Sequence, residues 1–137
     1  MDYSLGLDCS TQSLTAVLIN LSKSEVIIRY SINFDEELPH YNTQNGVLSS
    51  NGGKIVHSSP LMWLEALELL FKALVQKNLP LKEIKAISGS SQQHGTVYLN
   101  NSFETTLKNL DSEKPISPFS YASNNRLYVS PPVAMTL

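Results

Sequence analysis

Three apolar segments crowd into the first 34 residues, and the connections between them are too short for a crossover helix. Leu5-Gly6-Leu7 ends at Asp8, and a nearly continuous apolar run spans Leu14 to Leu21. Val26, Ile28, Tyr30, Ile32 and Phe34 then alternate with Ile27, Arg29, Ser31 and Asn33. That alternation has the period of two of a strand with one wetter face. The small polar stretch Cys9-Ser10-Thr11-Gln12-Ser13 reads as a turn. Parallel neighbours need a dozen or more residues between them, so three strands this close predict an antiparallel meander.

Residues 35–58 are polar and rich in Asn and Gly, notably at Asn45-Gly46 and Asn51-Gly52-Gly53. They read as a long excursion with one hairpin tip and a weak strand from Lys54 to His57. Ser59 then offers an N-cap oxygen, and Pro60 suits the first helical position, where its missing N–H costs nothing. Leu64, Leu67, Leu70, Phe71 and Leu74 recur at helical spacing, with Glu65, Glu68 and Lys72 on other faces. Met62 and Trp63 open this helix and read as packing residues rather than ligands. Asn78 accepts a left-handed cap conformation and Pro80 stops continuation. Ile84 to Ser88 is a short strand, and Val97-Tyr98-Leu99 another. A strand, a helix and a strand after a meander predict an α/β domain with a mixed sheet.

Charge and composition narrow the function classes. The net charge is -2, and the ten Lys and Arg are scattered, whereas nucleic-acid binding needs clustered positive charge. Cys9 is the single cysteine, so no intrachain disulfide forms and a reducing compartment is compatible. His40, His57 and His94 lack metal-ligand spacing with one another or with Cys9. No run reaches the ~18 apolar residues of a spanning helix, and no basic segment leads an apolar one. The expectation is a soluble cytoplasmic protein with no membrane or nucleic-acid partner. Its 137 residues fit one domain that buries roughly two-thirds of its unfolded surface.

Two constellations carry possible chemistry. In Gly6-Leu7-Asp8-Cys9-Ser10-Thr11-Gln12-Ser13 a carboxylate leaves an apolar strand into a hydroxyl-rich turn. Such a turn can hold a magnesium ion through water and cradle phosphate oxygens on its N–H groups. The plainer alternative is that Asp8 caps the turn with its own oxygens. In Gly89 to Gly95 two glycines flank Gln92, Gln93 and His94, uncharged donors and acceptors suited to a polyhydroxylated ligand. A loop that merely ends a strand explains the same residues. No G-x-x-x-x-G-K-[ST], G-x-G-x-x-G or G-x-S-x-G motif is present.

Together these segments resemble the start of a eukaryotic xylulokinase-type member of the FGGY carbohydrate kinase family. Four segments carry the resemblance: Leu5 to Leu14, Leu38-Pro39-His40-Tyr41 with Gly46-Val47, Ser59 to Leu67, and Ile87 to Tyr98. The run Gln92-Gln93-His94-Gly95 is the most specific. The resemblance implies a ribonuclease H-like lobe of the actin and hexokinase superfamily. It further implies ATP-dependent phosphorylation of D-xylulose to D-xylulose 5-phosphate, with Mg2+. By that likeness Asp8 positions magnesium and the transferred phosphoryl group, Ser10, Thr11 and Gln12 shape the phosphate turn, and Gln93 and His94 contact the sugar.

The departures matter as much. Family members carry a Trp-x-Asp segment after this region and, much later, an aspartate acting as general base. Here Pro118-Phe119-Ser120-Tyr121 stands where the first should begin, and no Asp or Glu follows Glu113. The expectation is an incomplete sugar-binding lobe over residues 1–116 and a divergent, poorly ordered, Pro-rich tail over 117–137. On this reading the chain is truncated, by a frame change, an alternative splice or an erroneous gene model, and inactive alone; losing the base forfeits about 10²–10⁴ in rate. A non-catalytic sugar-binding or regulatory module derived from such a kinase is the alternative.

Overall fold

The computed structural model describes residues 2–50, 52, 55–92, 101 and 104–105. The meander forms as expected: β1 (Tyr3–Cys9), β2 (Ser13–Asn20) and β3 (Glu25–Asn33) pair antiparallel in succession. Along β2 the residues facing one side, Leu14, Ala16 and Leu18, are buried, while Ser13, Thr15 and Val17 face the other. The same parity buries Tyr3 and Leu5 on β1 and Ile32 on β3. The alternation on β3 does not run its full length. Leu18 stands opposite Ile28 and Ile19 opposite Val26, so Ile27 is a bulged extra residue. Beyond it the face turns outward, leaving Val26 57% exposed.

Phe34 does not continue β3. It starts a one-turn helix, α1 (Phe34–Glu37), in which the N–H groups of Asp35 and Glu36 donate to the Asn33 side chain at 3.0 and 3.2 Å. A 3-10 turn follows at Pro39–Tyr41, then a small hairpin of β4 (Leu48–Ser50) and β5 (Ile55–His57). The excursion over 35–58 therefore holds more structure than the Asn and Gly content suggests. Its order comes from side-chain bonds across the chain, which local propensity does not report.

The long helix α2 (Pro60–Gln76) lies across β2 and β3 on the buried side. Its fully buried stripe is Met62, Ala66, Leu70 and Leu74, one residue every four. Leu64, placed on the apolar stripe by spacing, is 41% exposed instead. Spacing gives the period of a helix, and only the neighbouring sheet selects which face is covered. Pro60 sits at the first position as expected, but Ser59 makes no side-chain cap bond; its carbonyl accepts the Met62 N–H at 3.0 Å. Asn78 takes the left-handed conformation, φ 55.

A 3-10 turn at Leu81–Glu83 leads into β6 (Ile84–Ser91), which lies parallel to β1 and completes the order β3-β2-β1-β6. This strand is longer than Ile84 to Ser88. It takes in Gly89, Ser90 and Ser91, which the sequence places in a loop. Val97 to Leu99 and the tail over 117–137 lie outside the described residues.

Candidate functional site

The parallel pairing of β1 and β6 builds the site. Its register sets Gly6 beside Ser88 and Asp8 beside Ser90, and paired residues in a sheet project from the same face. On β1 Tyr3 and Leu5 fill the core side, so Ser4, Gly6 and Asp8 occupy the opposite face. There a shallow concavity of about 250 Å³ is lined by Gly6, Asp8, Thr15, Val17, Ser88 and Ser90, among others. Gly6 leaves its floor open beside the carboxylate.

Asp8 Oδ1 accepts the Ser90 hydroxyl at 2.6 Å, and Oδ2 accepts the Ser10 hydroxyl at 2.8 Å. These bonds, that from Ser90 first, hold the exposed carboxyl below the ordinary aspartate value of 3.8. Asp8 is therefore ionised at neutral pH. Next to it, burial pushes the half-buried Cys9 thiol up, and the Asp8 charge adds to the effect.

The β1–β2 turn is held from three directions. Ser10 N–H donates to the Ser13 carbonyl at 2.9 Å, closing the turn on itself. The Thr11 hydroxyl donates to Gln92 Oε1 at 2.9 Å, while Gln92 N–H extends the β1–β6 ladder to the Cys9 carbonyl at 3.0 Å. Phe34 N–H donates to the Gln12 carbonyl at 3.0 Å. Asp8, Ser10, Thr11 and Gln12 are thus brought together on one turn. Gln93 and His94 lie outside the described residues.

Ser90 and the Thr11–Gln92 bond escape sequence reasoning. Ser90 is 82 residues from Asp8, and nothing local announces that two strands so far apart pair in register. The one available signal is parity: Ser88 and Ser90, two residues apart, share one face of β6.

Among the described residues no group of three or more His, Cys, Asp and Glu is placed to hold a metal ion. One ionised carboxylate flanked by hydroxyls is a donor set suited to Mg2+. That ion keeps several waters and leans on one or two carboxylates plus substrate phosphates. Among the described residues no helix is long and apolar enough to cross a membrane.

Solved structures share this arrangement of a mixed sheet backed by one crossing helix. The xyloylose kinase structure from Brucella ovis superposes with a TM-score of 0.56 at 24% identity, over 73% of this chain and 18% of that one. The ligand-bound xylulose kinase structure from Lactobacillus acidophilus does so with a TM-score of 0.56 at 22% identity, over 74% and 18%. At the sequence level, the model of the N-terminal domain of the FGGY family of carbohydrate kinases matches residues 3–111. This chain belongs to that family. It is similar to xylulose kinase of Saccharomyces cerevisiae, 35% identical over 122 residues that make up 89% of this chain and 20% of the relative. Xylulose kinase 2 of Arabidopsis thaliana is 39% identical over 114 residues, 82% of this chain and 20% of the relative. The chain spans about a fifth of the length of the curated relatives it matches.

Proposed function

We propose that these residues form the sugar-side lobe of an ATP-dependent kinase that phosphorylates D-xylulose at its terminal hydroxyl. The observation that carries this is the ionised Asp8 carboxylate, fixed between the Ser10 and Ser90 hydroxyls at the mouth of an amide- and hydroxyl-rich turn. Phosphoryl transfer asks little covalent chemistry of a protein and much positioning of charge. Asp8 would hold Mg2+ through water, and the ion, when bound with ATP, supplies neutralising charge to the transferred group. Ser10 and Ser90 aim the carboxylate. The Thr11–Gln92 bond fixes the turn relative to the end of β6, from which the chain runs on to Gln93 and His94. Those two residues would contact the sugar hydroxyls, as the family likeness implies.

Residues 1–116 would be the lobe itself and 117–137 a separate tail. A single free thiol and nucleotide-dependent chemistry fit a cytoplasmic setting. The 137 residues cover about a fifth of the relatives' length, and by themselves they would not turn over.

The test is a chimera in which residues 3–111 replace the matching segment of the S. cerevisiae xylulose kinase. D-xylulose-dependent ADP release is expected, falling about 10²–10³-fold with Asp8→Asn, and none is expected from the isolated chain. A folded chimera inert toward D-xylulose, or ADP release by the isolated chain, would overturn the reading.

A further inference from the structure

Asp35 and Gly46 take no part in the constellation around Asp8, yet both bear on its turn. The Asp35 side chain accepts the Thr43 hydroxyl at 2.6 Å and the backbone N–H groups of Asn45 and Gly46 at 2.6 and 3.0 Å. Three donors on one carboxylate hold residues 43–46 in a single shape. That shape is a tight turn: Gln44 and Val47 exchange backbone bonds, and Asn45 and Gly46 have φ of 55 and 76. Both central residues are left-handed, the pattern that Asn-Gly favours. The Ser58 hydroxyl ties the far side to the Gly46 carbonyl at 2.8 Å.

The tip of this turn presses on the phosphate turn. A Cβ added at Gly46 would lie 1.9 Å from the Thr11 carbonyl oxygen and 2.8 Å from Gln12 Cα. Only a glycine lets the two backbones meet. Asp35 also follows Phe34, whose N–H holds the Gln12 carbonyl. The turn carrying Ser10, Thr11 and Gln12 is therefore gripped between α1 and the 43–46 turn, with Asp35 joining the two.

We propose that Asp35 and Gly46 are positioning residues for phosphoryl transfer: they brace the Thr11–Gln12 backbone and so fix the edge of the site where Asp8 and Ser10 sit. This rests on the kinase reading above. It assigns Asn45-Gly46 a mechanical task at the phosphate side of the reaction, distinct from sugar recognition.

The matched control is Gly52, also left-handed at φ 65 but with nothing within 4 Å of an added Cβ. Gly46→Ala and Gly52→Ala thus share the backbone penalty and differ in the contact. In the chimeric kinase, Gly46→Ala forces the Thr11 carbonyl back by about 1 Å. A misplacement of that size is expected to lower kcat about a hundredfold, with the KM for D-xylulose little changed and Gly52→Ala close to wild type. In the nitrogen-15-labelled 137-residue chain, Asp35→Asn is expected to shift the amides of Thr11, Gln12 and Ser13 along with those of Asn45 and Gly46. Equal rates for the two glycine variants, or shifts confined to residues 43–47, would refute the brace. A wild-type chimera inert toward D-xylulose, with Asp35→Asn shifts in the 137-residue chain that still reach Thr11 to Ser13, would instead refute the kinase reading and leave the brace standing.

Discussion

Replacing Phe34 by Ala tests how the core supports the turn between β1 and β2. Phe34 is 0% exposed at the junction of β3 and α1, and its N–H holds the Gln12 carbonyl. Full burial of such a side chain contributes about 1.5–3 kcal/mol of transfer free energy. The cavity left by an incompletely collapsing site brings the total cost to about 3–5 kcal/mol. For a domain of this size that corresponds to a fall in Tm of roughly 12–20 °C. Val26 is the informative partner, because it belongs to the same alternating series in the sequence but is 57% exposed in the structure. Val26→Ala should cost under about 0.5 kcal/mol. Thermal melts followed by circular dichroism, with urea midpoints as a second readout, separate the two. Similar losses for both variants, or less than about 1 kcal/mol for Phe34→Ala, would refute the placement of the bulge at Ile27 and of Phe34 in the core.

The phase of α2 is testable in the same way: Leu70→Ala should cost about 2–5 kcal/mol, and Leu64→Ala, at a position 41% exposed, clearly less. Equal costs would show that the stripe is misphased. Beside Cys9, three groups shape the pH dependence. Asp8 and Asp35 are held below the ordinary value of 3.8, Asp35 chiefly by the Thr43 hydroxyl. Their stabilisation is therefore full above about pH 4 and lost as pH falls through their folded-state values. Tyr41 is pushed above the ordinary tyrosine range, first by burial and then by its hydroxyl bond to Glu65. Its contribution is full below about pH 10 and lost above it. Asp35→Asn should flatten the acid limb of Tm against pH and Tyr41→Phe the alkaline limb; unchanged limbs would remove these groups as the cause.

The meander and the helix were legible in the residues because both depend on local period: two for Ile28 to Ile32, and a recurrence every three or four from Leu64 to Leu74. The turn at Cys9 to Ser13 was legible for a related reason, since small polar residues between apolar runs leave the chain few other conformations. Asp8, Ser10, Thr11 and Gln12 are neighbours along the chain, so their gathering needed only that turn. What failed was whatever depends on a partner distant in sequence. Leu64 looks as apolar as Leu70, and only the sheet beneath α2 decides between them. Phe34 fits the alternation of β3, but Asn33 caps a new helix at that point. The order within residues 35–58 rests on the bonds that Asp35 makes to Thr43, Asn45 and Gly46.

The residues by themselves determined an α/β chain with an acidic turn at its first hairpin, and its motifs carried the resemblance to the FGGY family. The tertiary structure decided what that turn is made of. Parallel pairing brings Ser90 to Asp8 and Gln92 to Thr11, and the absence of a side chain at Gly46 lets a second turn rest against the first. Those contacts join residues 35 to 82 positions apart. A period along the chain reports which way a side chain faces; only strand register and close packing report what it meets.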